Sequence, residues 1–383
     1  MDFNFSDEQQ LLLDTVQRFV RDDYSFEARR DILRSPRGWS RETWQALANL
    51  GLTALNVPEE HGGLGSGPVE TMLVMNALGE GLVVEPLLAA AVVTPVLLSK
   101  LGDKSAAEQL LPDVASGERI IIVAHQEPQT RGELDHVATR AEKTSNGYVL
   151  DGVKNVIIGG GAADELLVTA RTSGRTGDID GISVFRVDPG AAGVTVKDYG
   201  TIDSLRAADI ELKKVSVPAA SLVGAEGKAF AAIEAANDQA LSALCAEAVG
   251  IMKALNATTL EYTKSRKQFG QPIARFQVLQ HRMADMFLHS EQARSMSYLA
   301  AIKCVDQDAG ERRRALAAAK VIVGQAGRFV GQQAVQLHGG MGMTDELMVS
   351  HYFKRLTAID LTLGDVDFHT QQFIASSNIV SSN

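Results

Sequence analysis

Apolar positions along this chain change period twice, from helical to strand-like at about residue 119 and back to helical after Pro218. In the first stretch Leu12, Val16, Phe19 and Val20 fall on one helical face, and Ser6 followed by Gln9 has the form of a capping box. A second helix is predicted from Ser40, with Trp44 and Leu47 inward and a stop at Gly51. Val57 to Gly65 reads as a loop of turn formers, and three further helices fit between Pro68 and Ser116.

From Arg119 the pattern becomes that of strands. Ile120 to Ala124, Val137 to Ala141, Tyr148 to Leu150, Leu166 to Ala170, Ile182 to Val187, Val194 to Lys197 and Ile210 to Leu212 are the candidates, with Asn146-Gly147 as a hairpin turn. Short strands at close spacing, with no helix between them, predict a small β barrel or sandwich. Beyond Pro218 three long helices are predicted. They run from Phe230 to Lys264, from Phe276 to about Cys304, and from Glu311 to about Val335. Leu316, Ala319, Val323, Ala326 and Val330 form a seam on the third, whose small residues let helices approach closely. Long helices with short corners predict a four-helix bundle. The chain thus reads as an α+β multidomain protein divided into residues 1–118, 119–228 and 229–383.

Composition narrows the partners. With 383 residues, 45% hydrophobic and 22% charged, the chain has the profile of a globular protein of two or three packed units. Its formal charge of −10 disfavours nucleic acid and anionic membrane, both of which need a basic face. Cys245 and Cys304 lie in apolar helical patterns without metal-ligand spacing, as expected of buried free thiols in a reducing cytoplasm. Met1 to Phe5 lacks the basic and apolar regions of a signal peptide, and no continuous apolar run approaches the length of a membrane span.

The stretch Ser265-Arg266-Lys267-Gln268-Phe269-Gly270-Gln271-Pro272, ending Phe276-Gln277, carries the first candidate chemistry. An arginine ends one helix, and an aromatic and a glycine turn the corner into the next. A guanidinium there can hold a phosphate with two parallel hydrogen bonds, and the aromatic can lie against a flat ring. The same residues also make an ordinary surface corner.

Other signatures combine with this one. They are Pro58-Glu59-Glu60-His61-Gly62-Gly63, Glu127-Pro128, Leu205 to Asp209, Val217-Pro218 with Leu222-Val223-Gly224, and Gln336-Leu337-His338-Gly339-Gly340-Met341-Gly342. In this order and separation they resemble the acyl-CoA dehydrogenase family over nearly the whole chain. The resemblance implies an N-terminal helical domain, a central β domain and a C-terminal helical bundle. It also implies FAD as cofactor, an acyl-CoA substrate oxidised to the 2,3-enoyl-CoA, and electron-transfer flavoprotein as electron acceptor. In that family the nucleotide half of FAD crosses to a neighbouring subunit. The matching residues here are Arg266, Gln268, Phe269, Gln277, Gln336, Gly339 and Gly340. Gly339-Gly340 also fits a helix C-cap.

The flavin half departs from the family. Gln126-Glu127-Pro128-Gln129-Thr130-Arg131-Gly132-Glu133 stands where the family has Thr-Glu-Pro-x-x-Gly-Ser-Asp, and Val156-Ile157-Ile158 stands for Trp-Ile-Thr. Aliphatic side chains leave a flavin's polar edge unpaired, at about 1–3 kcal/mol per group. For the catalytic glutamate, counting from Arg355 reaches Gly364, with Asp365 one residue later; in the family's other branch the positions read Ala240 and Leu241, with Glu247 two turns further on. Asp365 is the candidate base, and an N-cap for the helix carrying Phe368 and Phe373 is its alternative role.

This pattern is most similar to the small subunit of heteromeric acyl-CoA dehydrogenases, α2β2 assemblies for dicarboxylic (pimeloyl) or steroid-derived acyl-CoAs. The expected partner is therefore a homologous subunit. The alternatives are a self-sufficient homotetramer with Asp365 as base and a scaffold protein that has lost flavin. His281, His338 and His369 have no ligand spacing and are expected in packing or at the surface, and no metal site is expected.

Overall fold

The computed structural model describes residues 5–376. The reading of Met1 to Asn4 as free of signal-peptide features falls outside the described residues. Helix α1 (Asp7–Asp22) begins on the predicted capping box: Ser6 Oγ accepts from Gln9 N at 3.2 Å, and Gln9 Oε1 accepts from Ser6 N at 3.0 Å. Helix α2 (Phe26–Arg34) is absent from the apolar pattern because its buried side chain is Arg29, not a hydrophobe. Helix α3 (Arg41–Asn49) starts from Ser40 and buries Trp44 and Leu47 as predicted. Helix α4 (Pro68–Gly81), a π-helical turn (Leu88–Val93) running into α5 (Thr94–Leu101), and α6 (Lys104–Ala115) fill the next stretch.

The β domain is one mixed sheet of eight strands. In chain order they are β1 (Ile121–Ala124), β2 (Arg140–Thr144), β3 (Gly147–Ile158), β4 (Glu165–Arg171), β5 (Ile182–Val187), β6 (Val194–Gly200), β7 (Arg206–Pro218) and β8 (Leu222–Val223). The spatial order is β6-β7-β3-β2-β4-β5-β8, and β1 pairs with β4 in parallel. Asn146-Gly147 makes the β2–β3 hairpin, with Thr144 opposite Gly147. Strand β2 begins later than the apolar pattern predicts. The reason lies in the amides of Ala138 and Thr139, which bond the Glu127 carboxylate at 2.7 and 3.0 Å rather than a neighbouring strand. The β3–β7 ladder is irregular between Lys154 and Ile157, and Val156 there has φ +51°, a strained conformation for a β-branched residue.

Helices α7 (Phe230–Ser265), α8 (Gln277–Lys303) and α9 (Ala309–His338) are the long members of the C-terminal bundle, followed by α10 (Met348–Leu361) and α11 (Val366–Ser376). The predicted seam of α9, Leu316, Ala319, Val323, Ala326 and Val330, is buried throughout. Counting uninterrupted apolar runs misses one feature: α7 is long and apolar enough to cross a bilayer, but most of that window is buried inside the protein. It is the central helix of the core. It crosses α4 backbone to backbone, since a Cβ on Gly250 would lie 1.9 Å from Asn76 O and one on Gly79 2.3 Å from Glu247 O. Cys245 and Cys304 are buried free thiols, pushed up to about 12 by burial.

Candidate functional site

The α4–α7 crossing, the sheet and the C-terminal helices enclose a cavity of about 490 Å³. Its lining is mostly apolar: Met75 and Leu78 from α4, Leu97 from α5, Val156 to Ile158 from β3, and Ala240 and Leu244 from α7. Such a wall strips water from whatever it holds and strengthens each polar contact within.

The β-domain wall is built on a buried ion pair. Lys154 Nζ donates to Glu127 Oε1 at 2.7 Å and also to His125 O and Thr169 Oγ1 at 3.2 and 3.1 Å. Burial pulls the lysine down to about 8 despite Glu127. Burial pushes the Glu127 carboxyl up, but Lys154 and the two amides outweigh it and hold it below the ordinary range. The Glu127-Pro128 motif is thus a clamp on the loop that bears His125, Gln126 and Thr130 to Gly132. His125 is half-buried with Nε2 enclosed and unpartnered, while Nδ1 lies 3.0 Å from Thr169 Oγ1. Burial, then the Lys154 charge, holds it neutral with a pKa of about 3.

The opposite wall is held by three buried charges. Arg355 on α10 forms two parallel bonds to Glu247 on α7, at 2.6 and 2.7 Å, and a third to Asp203 at 2.8 Å. Glu247 lines the cavity but is locked in this fork. Beyond α10, Lys320 is fully buried and donates to Asp360 O at 2.8 Å and Gly364 O at 2.6 Å, fixing the turn from Leu361 to Asp365. Phe368 follows on α11 and wedges between Gly132 and Gly364, each of which has positive φ.

Of the residues singled out in the sequence, Asp365 lines the cavity; its Oδ1 accepts from Phe368 N at 2.8 Å, so the carboxylate caps α11. Position 364 carries no side chain, and Ala240 occupies the alternative position for a base. The other candidates lie outside the cavity lining, at the far end of α7 and α9. Arg266 caps α7 and is exposed; among the described residues its guanidinium has no partner. Gln268 pairs with Gln271 in a two-residue hairpin, and Phe269, at its tip, is 90% exposed with φ +52°. Gln277 opens α8, and Gln336, Gly339 and Gly340 are exposed at the end of α9. Gly339 takes φ +59° and ψ −140°, a region open only to glycine, and a Cβ at either glycine would meet nothing within 4 Å. Tyr262 joins the two groups by stacking on His338 at 4.2 Å and donating to its carbonyl at 3.2 Å.

The sequence reading passed over Glu85, Lys320 and the Arg355–Asp203 contact. Glu85 had a visible signal, a lone acid in the run Val83 to Leu88. Lys320 had none, since a lysine within a helix is ordinarily a surface residue.

Comparison with known proteins agrees with this architecture. Profiles of the acyl-CoA dehydrogenase N-terminal, middle and C-terminal domains match residues 6–118, 123–215 and 230–376. Acryloyl-CoA reductase (NADH) of Anaerotignum propionicum is 29% identical over 96% of this chain and 94% of its own. The structure of butyryl-CoA dehydrogenase from Megasphaera elsdenii superposes with TM-score 0.89 at 27% identity, covering 98% of this chain and 99% of that one. A chain of the ChsE4-ChsE5 complex from Mycobacterium tuberculosis does so with TM-score 0.86 at 27% identity, covering 100% of both. The chain belongs to the acyl-CoA dehydrogenase family, a class of FAD-dependent oxidoreductases.

Proposed function

We infer that this chain is one subunit of a heteromeric acyl-CoA dehydrogenase, in which it completes the FAD site of a homologous partner within an α2β2 tetramer. The assembly dehydrogenates an acyl-CoA thioester and passes the electrons to an electron-transfer flavoprotein. One observation carries the reading. The nucleotide-binding group of Arg266, Gln268, Phe269, Gln277, Gln336, Gly339 and Gly340 is exposed and apart from the chain's own cavity, whose flavin-facing positions are aliphatic.

The cofactor is FAD, and the two ends of the chain fit it unequally. At Arg266 an unpaired guanidinium suits a pyrophosphate, Phe269 offers an open ring face, and Gly339-Gly340 leave room for close backbone approach. These are the residues that would bind and orient the nucleotide half. At the cavity Val156, Ile157 and Ile158 present no side-chain donor for an isoalloxazine edge. Nor does a free carboxylate stand at 364 or 240. No chemical step is therefore assigned to this cavity, and the proton-abstracting base belongs to the partner. The exposed Val278, Phe287 and Leu288 of α8 support association with further subunits. The buried thiols support a reducing compartment, the cytoplasm.

The test is flavin content, measured on the chain alone and co-purified with a partner. The expected result is little FAD on the isolated chain, a flavin-bearing complex, and loss of that flavin with R266A. One FAD per isolated chain, with turnover abolished by D365N, would establish the self-sufficient homotetramer instead. A colourless complex would establish the scaffold.

A further inference from the structure

One aromatic ring bridges the β domain and the helical bundle at the cavity wall. Phe368 lines the cavity and is half-buried. A Cβ at Gly132, on the loop before β2, would lie 3.1 to 3.2 Å from its Cε2, Cδ2 and Cζ. One at Gly364, in the turn after α10, would collide with its Cδ1 and lie 3.0 Å from its Cε1. Opposite edges of the ring therefore rest on two strips of bare backbone, each at a φ that favours glycine. The neighbouring Leu361 also lines the cavity and is 67% exposed, so solvent reaches this end.

The slot that the ring fills is shaped by bonds that do not involve the ring. On the β side Thr130 Oγ1 accepts from Glu127 N at 2.8 Å, and the Glu127 carboxylate is held by Lys154 and the amides of Ala138 and Thr139. On the bundle side Lys320 holds Gly364 O, and His369 Nε2 lies 2.8 Å from Leu363 O. Asp365 Oδ1 accepts the backbone amide of residue 368 whatever side chain stands there. A slot with braced walls collapses only in part when its filler is removed, and an apolar one then takes an aromatic molecule in its place. Leu363 and Val156 to Ile158 supply apolar surroundings.

We propose that Phe368 is a built-in plug, which occupies the slot for a planar aromatic ring in this chain's own cavity and denies it to an isoalloxazine. The inference deepens, and rests on, the reading that this chain meets flavin at its Arg266 end rather than in its cavity. Equilibrium dialysis of the full chain against lumiflavin, an isoalloxazine without ribityl or nucleotide, tests it. F368A and F368L should each bind lumiflavin about tenfold tighter than wild type. R266A/F368A should bind it as F368A does, since lumiflavin has no pyrophosphate for Arg266 to hold. F368L, the milder truncation, decides the matter if F368A does not fold. Equal binding by wild type and the Phe368 variants, binding by none of them, or a gain that disappears with R266A overturns the proposal. Failure of the heteromeric reading shows separately, as FAD content that R266A leaves unchanged.

Discussion

Phe368 stands against Gly364 so closely that a Cβ at position 364 would lie 2.4 Å from its Cδ1, on a backbone already at φ +92°. The place where a catalytic carboxylate is expected is filled by an aromatic ring from the next helix. A side chain at position 364 is therefore excluded by the packing, and introducing a glutamate there takes more than one substitution. G364E should cost about 2–5 kcal/mol from left-handed strain and overpacking together. In a double-mutant cycle, G364E/F368A should be less destabilised than the sum of the single variants, read by chemical denaturation. Additive losses would show that the ring is not the obstacle.

Arg355 ties α10 to α7 through Glu247 and reaches Asp203 in the β domain. Removing the guanidinium leaves two buried carboxylates facing each other. R355M should lower stability by about 3–5 kcal/mol, measured in urea. E247Q/R355M should be closer to wild type than R355M alone, because one of the stranded charges is gone.

Glu85 makes stability depend on pH in an unusual direction. Burial pushes its carboxyl up to about 7 from an ordinary 4.5, the Ser40 amide offsetting only part of this. A raised acid favours the folded state while both states are protonated, and that advantage is lost as pH climbs from 4.5 through 7. The loss is about 3 kcal/mol. E85Q lacks this titration, so its melting temperature relative to wild type should rise across the same interval and level off above it. A constant difference from pH 4.5 to 8 would mean that Glu85 stays near its ordinary value.

Lys320 holds the turn between α10 and α11 by two carbonyls. K320M should release that turn while leaving the α9 seam intact. Hydrogen exchange should speed up at residues 361–369 before any other part of the bundle. Uniform acceleration along α9 would instead mean that the lysine supports the whole helix.

Much of this architecture is local, and for that reason it was legible without coordinates. The capping box at Ser6, the Ser40 start of α3, the Asn146-Gly147 hairpin and the α9 seam depend on neighbours a few residues away. The Arg266 and Gly339 corners were legible for the same reason, as helix ends with characteristic residues. What the linear pattern could not carry was an interaction whose partner lies on another element of the fold. Helix α2 was invisible because it buries an arginine whose partners are the Leu82 carbonyl and His351. Val137 to Thr139 read as strand, but the amides of Ala138 and Thr139 are claimed by Glu127 and that of Val137 by the Asp135 carbonyl. That position 364 carries no side chain was readable, whereas the ring packed against it was not.

The chain's residues by themselves determined its order of helices, sheet and bundle, the Arg266 corner between α7 and α8, and the absence of a carboxylate at positions 364 and 240. Only the tertiary structure decided that Glu247 is locked by Arg355, that Lys320 is buried against the turn after α10, and that Glu85 is buried beside a cavity. The physical reason is that hydrophobic period and capping act within a turn or two. Desolvation and charge pairing depend on what the folded chain brings alongside.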